Sequence, residues 1–392
     1  MEWKSVEIVA DGAVKIPKRW LHLYYYEALN ILFRFENALR LFVYVVLKNN
    51  LGKDWDTAAL GDGITIRTET RKRIAQAREH GYLGYEVTSP MLYLNSGELT
   101  QILSSDAYWK HFAPYFRATK AVVLTKLQEI GTVRNSLAHF RPIKQDDIDL
   151  IKQNSRHVLL EIEQILVQLT AITDVVPTNS PANWYKELKA IGSDTLRTGL
   201  FSSVNQDWVR LELEYQIPVL QKSVYGPAYI SYRLGNLRTP QLLARYDSLR
   251  DRCIYVSEAP FFARVQDDGN LQATKDLSIV FSREAVETGL ADISAAIKDI
   301  ALITEQETEL IRQDNLARGE LVEVKSASAS LRDGSNDSKY WATSLESLST
   351  SSTEIEAVEY WGQRWHYSTD FISSVAHYPW MPSTVSSEEW PF

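Results

Sequence analysis

The chain reads KRWLHLYYYEALNILFRFENALRLFVYVVLK from Lys18 to Lys48, and its apolar residues recur every three or four positions. That spacing predicts a long amphipathic helix with a wide apolar face. Pro17 stands where a first helical turn begins, since proline there sacrifices no intrahelical hydrogen bond. The helix is expected to end near Asn49-Asn50-Leu51-Gly52, with Gly52 as its C-terminal cap.

Further helical segments follow on the C-terminal side of this helix. Pro142 stops a long helix that is predicted to end at about His139, and acidic residues open the next one at Asp146, where the helix dipole favours negative charge. The predicted helices are Arg67–His80, Gly97–Ser104, Ala107–Phe112, Tyr115–His139 and Asp146–Ala171. Together they predict an all-helical bundle over residues 1–175.

The pattern changes after the Pro-containing stretch 174–181, which is a predicted domain boundary. Strand-like alternation with helices between predicts a mixed α+β domain over residues 176–304, and an α+β fold class for the whole chain. Period-two segments are Trp208–Tyr215, Tyr229–Leu234, Cys253–Val256 and Leu277–Phe281, and the helices between them are Pro240–Arg250 and Arg283–Ile303.

Residues 305–392 are acidic and rich in tryptophan. An acidic helix is predicted over about Glu305–Arg318, followed by a linker at Ser326–Ser338 because that stretch is composed of small and polar residues. Five tryptophans then occur at Trp341, Trp361, Trp365, Trp380 and Trp390. Two interpretations remain open: these aromatics dock on the preceding domain, or they form a partner-binding tail.

Charge is distributed unevenly along the chain, which has a net charge of −8. Residues 1–175 carry 22 Lys/Arg against 20 Asp/Glu, whereas residues 305–392 carry 6 against 15. The N-terminal part can therefore approach a polyanion such as nucleic acid. The single cysteine and the lack of an apolar leader or membrane-length run predict a cytoplasmic protein that does not enter a membrane.

The segment that points to chemistry is GTVRNSLAHFRP, residues 131–142, at the end of a predicted long helix. Arg134 and His139 have four residues between them, and Asn135 shares a helix face with His139. A second polar set, Glu36-Asn37 and Arg40, interrupts the apolar first helix. No paired Cys or His spacing typical of zinc, no phosphate-binding glycine loop and no serine-hydrolase elbow is present, so neither metal nor cofactor is expected.

Residues 18–172 resemble HEPN domains, which are helical bundles marked by an arginine followed four to six residues later by a histidine. The resemblance lies in FENALR (35–40) with Gly52 and Trp55, YLNSGELTQI (93–102), Tyr108-Trp109 and VRNSLAH (133–139). It implies a homodimer in which two copies of the motif face each other. It also implies an endoribonuclease, often a toxin or an anti-virus defence effector. An antitoxin or a phage-derived trigger would then be a partner, besides the RNA substrate.

Arg134 and His139 carry over from this resemblance as catalytic residues, with Asn135 beside them. Residues five apart on a helix point about 140° apart, so pairing two chains is needed to bring one arginine near the other chain's histidine. Some family toxins have a tyrosine two residues after the histidine, which a partner enzyme modifies, but this chain has Arg141 there. Residues predicted to bind RNA or support the cleft are Glu36, Arg40, Arg117, Lys120, Arg141 and Lys144.

Alternative interpretations accompany each of these assignments. Arg134 and His139 are also what a helix C-terminus favours as structural cations. Glu36 and Arg40 are four apart and fit a simple helix salt bridge. The alternative for the whole bundle is a non-catalytic module that dimerises or holds RNA.

Overall fold

The computed structural model describes residues 7–8, 14–15, 23–61, 63–80, 90–170, 172, 174–258, 262–266, 270–334, 339–345 and 361–364. The α-helices there are α1 (Leu23–Leu51), α2 (Ile66–His80), α3 (Ser96–Ser104), α4 (Asp106–Phe112), α5 (Lys120–Ala138), α6 (Gln145–Thr170), α7 (Asn183–Lys189), α8 (Thr239–Arg245), α9 (Asp247–Arg250), α10 (Arg283–Thr288) and α11 (Leu290–Arg312).

The strands cluster in the C-terminal half, so the fold is α+β, as predicted. They are β1 (Glu7–Ile8), β2 (Val14–Lys15), β3 (Ala59–Gly61), β4 (Ile64–Thr65), β5 (Asp174–Val175), β6 (Leu196–Ser202), β7 (Trp208–Gln216), β8 (Val219–Val224), β9 (Tyr229–Leu237), β10 (Tyr255–Glu258), β11 (Phe262–Val265), β12 (Leu271–Ser282), β13 (Val322–Asp333), β14 (Lys339–Leu345) and β15 (Trp361–Arg364).

The chain divides into two compact units. The first, here the helical unit, comprises residues 1–40 and 95–163; the second, the sheet unit, comprises residues 41–94 and 164–392. Both α1 and α6 begin in the helical unit and end in the sheet unit. The division differs from the predicted boundaries at 175 and 304. Those boundaries were predicted from changes of composition along the chain, and such changes do not reveal that the 29-residue helix α1 passes from one unit into the other.

The helical unit is built on apolar positions that recur at helical spacing. On α5 the buried residues are Val123, Leu127, Ile130, Val133 and Leu137, and α3 packs against this helix. The N-terminus of α3 is a capping box: the Asn95 side chain accepts from the Glu98 backbone N–H, and the Glu98 carboxylate accepts from the Asn95 backbone N–H. Ion pairs from Glu27 to Lys152 and from Arg34 to Glu163 join α1 to α6.

Two large sheets share one core in the sheet unit, which also contains the short pair β3–β4. The order of the larger sheet is β15-β10-β12-β7-β6-β5, with β11 also on β12, and its described strands pair antiparallel apart from β10 with β15. The order of the smaller sheet is β14-β13-β9-β8. The core contains alternating residues of β7, namely Leu211, Leu213 and Tyr215, together with the apolar face of α11. Every second residue of a strand points to the same side, and residues three or four apart share a helix face.

Most predicted elements are confirmed to within a few residues, and Gly52 has the positive φ of 56° expected of a helix cap. Pro17 lies outside the described residues. The N-terminal part is helical with two short β pairs added, β1–β2 and β3–β4.

None of the described helices is both long enough and apolar enough to cross a lipid bilayer.

Two predictions for the C-terminal part are wrong. The expected linker at Ser326–Ser338 is largely β13, which pairs with both β9 and β14. The acidic helix expected at Glu305–Arg318 is not a separate element: its residues up to Arg312 are the last part of α11, which runs unbroken through residue 304 and ends at Arg312. Trp341 packs against the core from β14. The Trp361 side chain and the residues Trp365, Trp380 and Trp390 lie outside what the structure describes.

Candidate functional site

Arg134 lies on α5, one turn before the helix ends. Its neighbours Val133 and Leu137 are buried, and they hold this side of the helix against the bundle. The Arg134 side chain itself is 35% exposed. A guanidinium in that position is anchored by the helix yet reachable from solvent.

Glu36 of α1 lies between two arginines. One carboxylate oxygen, Oε2, is 3.8 Å from Nε of Arg134, and the other, Oε1, accepts a hydrogen bond from Arg40. Arg40 also donates from Nη1 to Oδ1 of Asn37 at 2.8 Å. The salt bridge expected of Glu36 and Arg40 is therefore present, and the same carboxylate reaches the motif arginine.

The pKa of Arg40 responds to burial and to the charges around it. Burial lowers the pKa of Arg40 most, and the positive charge of Arg134 lowers it further, while Glu36 and Glu98 oppose both effects. Two guanidinium groups are thus close enough to repel each other, and the Glu36 carboxylate reduces that repulsion. An anion approaching Arg134 would reduce it as well.

The C-terminus of α5 ends in a Schellman motif that displays His139. The Arg141 backbone N–H donates to the Ser136 carbonyl at 2.8 Å, and the Phe140 backbone N–H donates to the Leu137 carbonyl at 3.0 Å. His139 is the cap residue, and its side chain is exposed. No hydrogen bond or ion pair joins the imidazole to any residue that the structure describes.

Asn135 contacts the arginine of the motif rather than the histidine ring. Its Oδ1 accepts a hydrogen bond from Nη1 of Arg134 at 3.4 Å, and only its backbone carbonyl accepts from the His139 backbone N–H. With Nε turned toward Glu36 and Nη1 toward Asn135, Nη2 of Arg134 bonds to none of the described residues.

Arg117 and Lys120 lie at the opposite end of α5. Arg117 pairs with Glu161 at 2.9 Å and Lys120 pairs with Asp106. Lys120 and Arg134 are fourteen residues apart on one helix, which places them about 21 Å apart along its axis. The structure therefore does not group these two cations with the motif, and RNA contact by them stays a prediction.

Arg141 and Lys144 lie immediately after the motif, and both are exposed. The Lys144 backbone N–H donates to the Asp147 carboxylate at 2.8 Å, which fixes the start of α6. Both side chains are therefore in contact with solvent close to His139 in the chain, and RNA contact by them stays a prediction.

Two residues near the site were not singled out from the sequence. Glu98 reaches Arg40 electrostatically from the first turn of α3, and the Asn95-x-x-Glu98 spacing was the signal for that turn. Phe140 is almost fully exposed with a positive φ, and the sequence gives no signal for that, because glycine is the residue expected at such a position.

No family model, curated protein or solved structure matches this chain. The site's own residues offer a partly exposed guanidinium suited to a phosphate and an exposed imidazole suited to proton transfer. Within the described ranges no three His, Cys, Asp or Glu side chains are grouped so as to hold a metal ion.

Proposed function

We propose that this chain is a metal-independent endoribonuclease of the HEPN type that acts as a homodimer in the cytoplasm. One observation carries the proposal. Arg134, which forms an ion pair with Glu36, and an exposed His139 occur together at the end of the same helix. A guanidinium with a carboxylate beside it can meet a phosphate in a defined orientation, and an imidazole can serve as a general base or a general acid.

The reaction is a transesterification within the RNA strand. The 2′-hydroxyl attacks the adjacent phosphorus, so the 2′-O–P bond forms and the P–O5′ bond breaks. A neutral imidazole accepts the 2′-hydroxyl proton, and a protonated imidazole gives a proton to the departing 5′-oxygen. Arg134 stabilises the charge that develops on the phosphate oxygens. The products are a 2′,3′-cyclic phosphate and a 5′-hydroxyl end.

A dimer supplies the two imidazoles that this scheme uses. Arg134 and His139 are five positions apart in the chain, so one helix turns them about 140° apart, and a second copy is needed to set both on one phosphate. Support for self-association comes from α1, where Leu29 and Phe33 are exposed apolar residues. Spacings of four, three and four residues separate, in turn, Leu29, Phe33, Glu36 and Arg40. All four therefore lie on one stripe of α1.

The biological role proposed is that of a toxin or anti-phage effector that the C-terminal region regulates, with an antitoxin or a phage component as its trigger. Expression in a bacterial host should then arrest growth, and His139→Ala should remove the arrest. Normal growth with wild-type protein present at the same level would count against a toxin role.

The direct test uses purified full-length protein, a mixed-sequence RNA and EDTA. Wild-type protein is expected to cut the RNA and leave 5′-hydroxyl ends, and an all-deoxy version of the strand is expected to stay intact. Arg134→Ala and His139→Ala should each reduce cleavage at least a hundredfold. Arg156→Ala and His80→Ala, exposed residues outside the site, are the matched controls.

The nuclease proposal fails if Arg134→Ala and His139→Ala cut as fast as wild type. The second candidate function is a non-catalytic dimerisation or RNA-binding module, which the exposed Leu29 and Phe33 also fit. It predicts a stable dimer that binds RNA without cleaving it. The cleavage assay separates the two functions, and sedimentation of wild type beside a Leu29→Lys variant tests the dimer that both of them require.

A further inference from the structure

Phe140 combines two unfavourable features at the end of α5. Its side chain is 89% exposed, and its backbone has a φ of +54°. A bulky side chain in the left-handed region crowds its own backbone, and glycine is the usual residue at this position of a helix end. The exposed phenyl ring also lacks the stabilisation that burial of apolar surface provides.

The helix end does not need a phenylalanine. The Schellman hydrogen bonds are made by backbone atoms, from Phe140 N–H and Arg141 N–H, and glycine would make both of them. The apolar contact that often accompanies such a motif joins the residues that here are Ser136 and Arg141, so Phe140 does not take part in it. A strained, exposed residue that the fold does not use is a reason to look for a ligand.

The neighbours of Phe140 indicate the chemistry of that ligand. His139 precedes it and Arg141 follows it in the chain, and both are exposed. An aromatic residue with an imidazole and a guanidinium on its two chain neighbours offers the groups that bind a nucleotide, since the ring can stack on the base and the guanidinium can meet the phosphate.

We propose that Phe140 is a base-stacking residue and that the preferred substrate is single-stranded RNA with an unpaired base beside the cleaved phosphate. This inference rests on the proposed function for the position of the phosphate. Bases inside an A-form duplex are covered on both faces by their neighbours, so only an unpaired base offers a free face to the ring.

The test measures binding rather than cleavage. The probe is a fluorescein-labelled 2′-O-methyl RNA of about twelve nucleotides without self-pairing, which cannot be cut because its 2′-oxygens are blocked. Phe140→Leu in the full chain is expected to raise Kd at least fivefold, and Phe140→Trp to keep it within about threefold. Tyr340→Leu, which removes an exposed aromatic residue of the sheet unit, is the matched control.

Two further measurements make the result specific. The wild-type preference for the single strand over the same strand annealed to its complement should shrink in Phe140→Leu, since the lost contact is made only to an unpaired base. Phe140→Gly should raise the midpoint of thermal unfolding, because it relieves the backbone, and should still bind the probe weakly. Weak binding by a variant with a raised midpoint is not due to misfolding.

Each outcome has one meaning. Equal Kd values for wild type and Phe140→Leu overturn the inference, and so does a Phe140→Leu variant that sediments as a monomer while wild type is a dimer, since the ring is then a subunit contact. Binding that depends on Phe140 in a chain that cuts no RNA upholds the inference and removes the nuclease. RNA cleavage with a Kd unaffected by Phe140→Leu supports the nuclease and overturns the base-stacking inference.

Discussion

Glu36 on α1 holds Arg134 on α5, with 3.8 Å between the carboxylate Oε2 and the guanidinium Nε. The Glu36 side chain is only 15% exposed, and its second oxygen is occupied by Arg40. A carboxylate bound in this way has few orientations available to it. The helical unit therefore places a negatively charged partner for the motif arginine on a different helix.

The first prediction concerns Glu36→Gln. An amide keeps the size of the side chain and removes its charge, so Arg134 is held less firmly and repels Arg40 more strongly. We expect cleavage of RNA to fall about tenfold and the free energy of unfolding to fall by about 1 kcal/mol. Single-turnover cleavage and urea unfolding measure the two effects.

The control for Glu36→Gln is Glu27→Gln on the same helix. Glu27 pairs with Lys152, and both side chains are nearly half exposed, so solvent screens the pair. Loss of such an exposed pair should change stability much less than loss of Glu36 does, and cleavage should not change. Equal effects of the two substitutions on cleavage would show that Glu36 does not position Arg134.

The second prediction concerns the capping box that opens α3. Asn95→Ala removes the side-chain acceptor for the Glu98 N–H and should cost about 1 kcal/mol of stability. Ser105 occupies the same cap position of α4, but its side chain makes no capping hydrogen bond, so Ser105→Ala should be nearly neutral. Urea unfolding of the two variants beside wild type measures the difference. A loss with Ser105→Ala as large as that with Asn95→Ala would contradict this account.

Hydrophobic spacing predicted the helices because their buried residues are large. Val123, Leu127, Ile130 and Leu137 of α5 recur as a helix face requires, and each is buried. The same criterion missed β13, in which the buried alternating residues include Ala327 and Ala329. Alanine and serine differ little in hydrophobicity, so a strand built from them resembles a linker until its partners β9 and β14 are known.

The candidate site was predictable only in part, for a related reason. Arg134 and His139 lie in one short segment, and their spacing is visible in the sequence. The contact of Glu36 with Arg134 joins two helices far apart in the chain, and it depends on how the bundle packs. Phe140 departs from the residue expected at a helix end, and such departures from local rules are where function is sought.

The third prediction concerns Cys253, the only cysteine in the chain. It is fully buried, with Sγ 3.5 Å from the Arg250 carbonyl, and burial raises the pKa of the thiol to about 11. The thiolate is the reactive form, so a disulfide reagent should leave the native protein unmodified at pH 8 and modify the urea-unfolded protein at once. Rapid modification of the native protein would show that this part of the sheet unit opens readily.

The same shift makes stability depend on pH in a defined window. The folded state holds the thiol proton more tightly than the unfolded state, whose thiol has an ordinary pKa of about 9. The resulting stabilisation is fully present below pH 9 and is lost as the pH rises through about 11. Lysines and tyrosines also titrate there, so the pH dependence of wild type is compared with that of Cys253→Ala, which lacks the thiol. Wild type should lose about 1 kcal/mol more than the variant between pH 8 and pH 10, and parallel losses would show that burial does not hold the proton.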